Sequence, residues 1–169
     1  MKPFSWQLPA NLLAESTAIM RPHGAAGNEG LALWFGTAND QGAKVTHVVE
    51  VFGKGFRNHP LYMQISLTGM SSLTDLADSL DVTLVGQIHS HPGLFIDLSD
   101  LDIAQGIRSP SYLSLVCPHY AQRDVLSYAE CGVHAFEDGR YRRFHGNEIR
   151  DRLKTIPGNA IRVRHEVPA

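Results

Sequence analysis

Cysteine is nearly absent from this chain: only Cys117 and Cys131 occur among 169 residues. They form no Cys-x-x-Cys pair, so neither a thiolate zinc site nor a dithiol redox motif is encoded. They fall in separate predicted strands. Two reduced, buried thiols are the expectation, with a disulfide between them as the alternative. Charge of one sign is also missing: the formal net charge is −2 and no long basic run occurs. That removes the electrostatic footprint of nucleic-acid binding. No apolar stretch reaches the length of a membrane span. The start, Met1-Lys2-Pro3-Phe4-Ser5-Trp6, lacks the hydrophobic core of a signal peptide, so a cytoplasmic address is expected. Repeats, low-complexity tracts and linkers are absent too.

What remains is an ordinary globular composition, 43% apolar and 19% charged. It suits a single α/β domain over residues 1–169, with a core of about 10–145 and a tail, 146–169, whose end is expected to fray. Apolar spacing predicts helices over Ala10–Met20, Ser71–Leu80 and Ser99–Arg108, and a short one over Glu148–Lys154. Strands are predicted at Leu31–Gly36, Val45–Phe52, Leu61–Leu67, Val82–Ile88, Tyr112–Cys117, Val125–Phe136 and Arg140–Phe144. Asn39-Asp40-Gln41-Gly42 and Glu137-Asp138-Gly139 read as hairpin turns. Arg21–Asn28, Gly53–Pro60 and Pro92–Leu98 read as loops. The expected architecture is a central sheet flanked by about three helices.

Nine histidines are many for this length, and two of them fall at the end of the most apolar strand. Val82–Ile88 reads as a strand buried on both sides, and it runs straight into His89-Ser90-His91-Pro92-Gly93. Side chains two apart on a strand point the same way, so His89 and His91 present neighbouring imidazoles, with Ser90 facing the other side. A bound cation removes the repulsion that two protonated imidazoles would suffer. Pro92 and Gly93 turn the chain towards Ser99-Asp100-Leu101-Asp102. There Ser99 is a natural N-cap and Asp102 lies in the first helical turn. Two histidines and one carboxylate leave a fourth tetrahedral position for water, the pattern of a catalytic zinc site, and the donors suit zinc better than magnesium or calcium. Ser-x-x-Asp alone is common as a helix cap. Joined to His-x-His-Pro at this spacing, its five fixed positions arise by chance on the order of once in ten thousand chains of this size. Asp97 and Asp100 flank Ser99 as competing carboxylates, but the spacing favours Asp102. His119 stands at a strand end near the motif. His134 reads as a packed residue, and His23, His47, His59, His145 and His165 as solvated ones.

This pattern resembles the JAMM (MPN-plus, JAB-domain) metallopeptidases, over about residues 10–145. The resemblance implies a cytidine-deaminase-like mixed sheet. It also implies a glutamate followed, after any two residues, by a small-apolar-apolar-apolar-Gly run, and Glu29-Gly30-Leu31-Ala32-Leu33-Trp34-Phe35-Gly36 matches that register, with Ala32 at the small position. Glu50, at a strand end without such a run, is the rival. By resemblance Glu29 is the general acid and base, and Ser99 donates to the oxyanion beside one zinc ion on His89, His91 and Asp102. The implied activity is deubiquitinase-like: cleavage after the C-terminus of a ubiquitin-like protein in a bacterial conjugation or antiphage system. E1- and E2-like proteins are then expected partners. Gly53–Leu67 and the apolar run Leu94, Phe95 and Ile96 are candidate substrate contacts. Processing of sulfur-carrier proteins and a non-catalytic scaffold of the same fold are the alternatives. An amidohydrolase barrel, at about 250 residues, needs a longer chain.

Overall fold

The computed structural model describes residues 1–169. Two adjoining strands organise it: β2 (Leu31–Ala38) and β3 (Gly42–Phe52), antiparallel and joined by the Asn39–Gln41 turn. Asn39 Oδ1 accepts from the Gln41 and Gly42 amides, which fixes that turn. In β2, Ala32 and Trp34 face one core cluster, whereas Leu31, Leu33 and Phe35 face a second. A strand apolar on both faces needs cover on both, and two helices supply it. Helix α1 (Leu12–Ala25) lies on the Trp34 side with Leu12, Leu13, Ile19 and Met20 buried, and α2 (Leu67–Ser79) lies on the other with Leu73 and Ala77. Trp34 Nε1–H donates to Ser16 Oγ at 2.9 Å, so the buried indole is satisfied.

The remaining strands are β1 (Ser5–Pro9), β4 (Phe56–Asn58), β5 (Met63–Ile65), β6 (Thr83–Ser90), β7 (Leu113–Cys117), β8 (Gly132–Glu137), β9 (Arg140–Phe144), β10 (Leu153–Ile156) and β11 (Ile161–Glu166). The main sheet runs β10-β1-β3-β2-β6-β7-β8-β9, and β4-β5 form a separate ribbon. The sheet is mixed. β6 and β7 are parallel, so the chain must cross over between them, and that connection carries the short helix α3 (Asp100–Gln105). Ligands in such sheets gather beyond the carboxyl ends of the strands.

Several expectations change. The tail is not frayed: after α4 (Asn147–Arg152), β10 joins β1, and β11 lies parallel along β3 from His47 to Phe52. β1 pairs with the first part of β3, Gly42–Lys44, so β1 and β11 share one edge of that long strand. Glu148–Lys154 is helical only to Arg152 and then extended. The four α-helices overlap the four segments read as helical. Helix α2 begins at Leu67, not Ser71, because Ser66 caps it by accepting from the Gly69 amide at 2.9 Å. Gly53–Pro60, read as a loop, holds β4, and the strand expected over Leu61–Leu67 shortens to β5. Val125–Phe136 is a strand only from Gly132. Cys117 ends β7 and Cys131 precedes β8; both are buried free thiols.

The tail is pinned by Arg152, whose guanidinium lies over Trp6 and Phe144 at 5.3 and 4.6 Å and donates to the Phe4 carbonyl and to Glu137. Glu137 also pairs with Arg142 at 2.9 Å. Burial alone would raise the Glu137 carboxyl, but hydrogen bonds from Arg152 and Arg142 outweigh it and hold the group below its ordinary value. A depressed folded pKa contributes stability above the unfolded value of about 4.3, and that contribution is lost as pH falls through the folded value. Glu137→Gln is therefore expected to be less stable than the parent by about 1–3 kcal/mol at pH 7. The gap should close towards pH 3 in urea titrations.

Candidate metal centre

β2 and β6 run antiparallel with Leu31 opposite His89, so the start of one strand meets the end of the other. Glu29, two residues before β2, thereby reaches His89 and His91 although 60 positions separate Glu29 from His89 in the chain. The crossover brings α3 to the same end. Ligand atoms of Glu29, His89, His91 and Asp102 all lie within 4.8 Å of one another. Glu29, His89 and His91 are buried, and Asp102 is partly so.

Asp102 is aimed by its helix cap. Ser99 Oγ accepts from the Asp102 amide at 3.1 Å, and the Ser99 amide donates to Asp102 Oδ2 at 2.8 Å. The same Oδ2 stands 3.2 Å from His91 Nε2 and 3.5 Å from His89 Nε2, and the two Nε2 atoms are 3.1 Å apart. His91 Nδ1 lies 2.9 Å from the Phe95 carbonyl, which only accepts, so Nδ1 carries a proton and Nε2 is the nitrogen that faces the cluster. The Phe95 ring stacks parallel on the imidazole at 5.7 Å.

Three donor atoms thus form a triangle with edges of 3.1, 3.2 and 3.5 Å. Ligands at 2.0–2.1 Å around a tetrahedral ion stand about 3.3–3.4 Å apart, so the triangle fits such an ion. Glu29 Oε1 is further off, 3.8 Å from His91 Nε2, and Glu29 Oε2 and His89 Nδ1 have no hydrogen-bond partner. Without an ion, burial pushes the Glu29 carboxyl up to about 7, against the lowering effect of His91 and with a further push from Asp102. For Asp102, burial opposes ionisation, but hydrogen bonds from His89, His91 and the Ser99 amide prevail and hold it well below the usual carboxylate range. His91 is raised: burial acts downwards, and the Asp102 hydrogen bond and Glu29 charge outweigh it.

The other candidates are placed as clearly. Glu50 is engaged elsewhere, with Arg162 at 3.0 Å and Arg164 at 3.4 Å from β11. Asp97 pairs with Arg143 at 2.6 Å and His134 at 3.4 Å, and Asp100 is exposed, so neither joins the cluster. His134 is packed, as expected; His23 and His165 are not simply solvated, since Asn58 and Ser72 hydrogen-bond them. Leu94 and Phe95 are 77% and 58% exposed, whereas Ile96 is half-buried with its carbonyl against Gly132. Tyr62, Met63 and Ile65, from the other candidate segment, line a groove of about 410 Å³ together with Leu101 and Tyr141, and Asp102 stands in its wall.

Ser90 faces away from the histidines, and its buried hydroxyl accepts from the Gly30 amide at 2.8 Å. Asn58 was not singled out in the sequence. Its Nδ2 donates to the Glu29 carbonyl at 3.0 Å, and the Glu29 amide donates to the His59 carbonyl at 3.0 Å. No local signal marks Asn58, because its partner is 29 positions away.

No protein-family profile matches the chain. Among curated proteins, the probable metalloprotease y4jG of Sinorhizobium fredii is 27% identical over 131 residues, which span 77% of this chain and 80% of that protein. Among solved structures, protein DSY2949 from Desulfitobacterium hafniense aligns over 92% of this chain and 94% of its own, with a TM-score of 0.61 and 18% identity, and so shares the fold. AF2198 from Archaeoglobus fulgidus, a JAB1/MPN domain protein, aligns over 90% of this chain and 98% of its own at 12% identity and a TM-score of 0.47. The glutamate, two histidines and aspartate of a JAMM-like motif are gathered at one end of a mixed α/β sheet, an arrangement that could hold a metal ion.

Proposed function

We propose that the protein is a zinc-dependent peptidase that cleaves after the C-terminus of a ubiquitin-like protein. The observation that carries this reading is the donor triangle with a buried glutamate beside it and a groove leading to it. Two nitrogens and one carboxylate oxygen suit zinc among the common divalent ions. Zinc held by His89, His91 and Asp102 supplies Lewis acidity to a water and to a carbonyl.

The chain's own groups do the rest. Glu29 accepts a proton from the attacking water and passes it to the departing amine, so water is split across the C–N bond: hydroxyl to carbon, proton to nitrogen. Ser99 Oγ accepts from the Asp102 amide, which leaves the hydroxyl proton free to be donated to the oxyanion.

The groove supports the substrate class. β5 pairs only with β4, so its other edge is free to take an extended chain as an added strand. A flexible C-terminal tail lying there would end at the cluster. A bacterial conjugation or antiphage system, with E1- and E2-like partners, is the setting this reading suggests. The test is to incubate zinc-loaded protein with a C-terminal fusion of a ubiquitin-like protein, in parallel with a sulfur-carrier fusion, and to read the junction by mass spectrometry. Cleavage at the ubiquitin-like junction is expected. Cleavage of the sulfur carrier alone would transfer the activity to that substrate, and a zinc-loaded protein that cuts neither overturns the proposal.

A further inference from the structure

Directly after β7, three consecutive residues adopt the left-handed conformation: His119, Tyr120 and Ala121, at φ +55°, +52° and +57°. None is glycine, and L-residues visit this region singly rather than in runs. Such backbone persists where its surroundings over-determine it, and it collects at functional sites. The hydrogen bonds of this turn show what it joins. The His119 amide donates to the Gly93 carbonyl and the Tyr120 amide to the His91 carbonyl, both at 2.8 Å, so the turn grips the loop that carries His91.

The side chain of Tyr120 reaches the other way. Its hydroxyl donates to the Pro60 carbonyl at 2.8 Å, in the link between β4 and β5. That link is closed by the His59 amide on the Tyr62 carbonyl at 2.8 Å, and His59 also holds the Glu29 amide. From it the chain passes directly into Tyr62, Met63 and Ile65 of the groove wall. The turn itself has a firm seat. Gln122 Nε2 donates to the Tyr120 carbonyl at 3.0 Å and to the Arg21 carbonyl at 2.9 Å. A Cβ on Gly24 of α1 would lie 2.1 Å from the Tyr120 carbonyl, so only glycine permits this approach.

We infer that Tyr120 is a positioning residue that couples the His91 loop to the groove wall, so that a metal ion at the cluster stiffens the ribbon that receives substrate. The inference rests on the metal-centre reading above. Fixing His91 fixes its carbonyl, the carbonyl holds the Tyr120 amide, and the phenol carries the restraint to Pro60.

Hydrogen exchange with and without equimolar Zn2+ tests this without any substrate. In the parent protein, zinc is expected to slow exchange in His91–Gly93 and, by about fivefold or more, in Phe56–Ile65. In Tyr120→Phe, the His91 loop should still respond while the ribbon's response falls below about twofold. Tyr120→Gly supplies the control for a merely structural role. Glycine relieves the left-handed backbone, so its thermal midpoint should match or exceed that of Tyr120→Phe, yet its ribbon should remain uncoupled. A ribbon that responds equally in parent and Tyr120→Phe overturns the inference, as does a parent ribbon that ignores zinc while the loop responds. If the parent's His91 loop ignores zinc as well, the metal centre itself is refuted, and the coupling with it.

Discussion

Glu29→Gln is expected to keep its zinc and to lose about 10²–10⁴-fold in kcat/KM, the range removed when a positioned acid–base group is lost. The two side chains have the same shape, so packing around this position, 2% exposed, is preserved. What changes is the capacity to take a proton. Glu29 Oε2 has no hydrogen-bond partner in the protein, so no internal bond competes for the proton it would accept. The geometry also separates Glu29 from the ligands. It stands 3.8 Å from His91 Nε2, outside the triangle of 3.1–3.5 Å edges. Metal content of the purified variant, measured beside cleavage of the ubiquitin-like fusion, decides the matter. Loss of zinc together with turnover would make Glu29 a ligand, and normal turnover would move the base elsewhere.

The site was more legible in the sequence than the fold around it, for a physical reason. His89, His91, Ser99 and Asp102 fall within fourteen residues, so strand alternation and one helix cap suffice to bring them together. Glu29 is remote in sequence; only the register of a resembling motif pointed to it, and the β2–β6 pairing is what delivers it to the histidines. Asn58 and Tyr120 act through contacts 29 and 60 positions away, which no local pattern encodes. The tail was misread for a different reason. Ile161-Arg162-Val163-Arg164-His165 alternates apolar and charged residues, a strand signal, but two arginines in a terminal segment look solvated until Glu50 is seen to take both. β4 and β5, at three residues each, are too short to show any period.

His89→Phe is expected to separate metal binding from folding. His89 Nδ1 is buried without a partner, and Nε2 meets only His91 and Asp102. A phenyl ring fills most of the same space and removes a buried polar atom left unpaired, a group that costs about 1–3 kcal/mol. That gain offsets the lost contact with Asp102, so the metal-free variant should lie within about 1 kcal/mol of the metal-free parent. Zinc separates the two proteins. An ion that binds only the folded state stabilises it by about 2.7 kcal/mol at a hundred times its dissociation constant. For a chain of this size that raises Tm by about 5–11 °C. The parent should show that rise and lose it to a chelator; His89→Phe should show no rise, hold no zinc and cleave nothing. A variant that still gains zinc-dependent stability would remove His89 from the ligand set. A parent with no zinc response would leave the 3.1 Å approach of two inward-turned imidazole nitrogens to be reconciled by a proton instead.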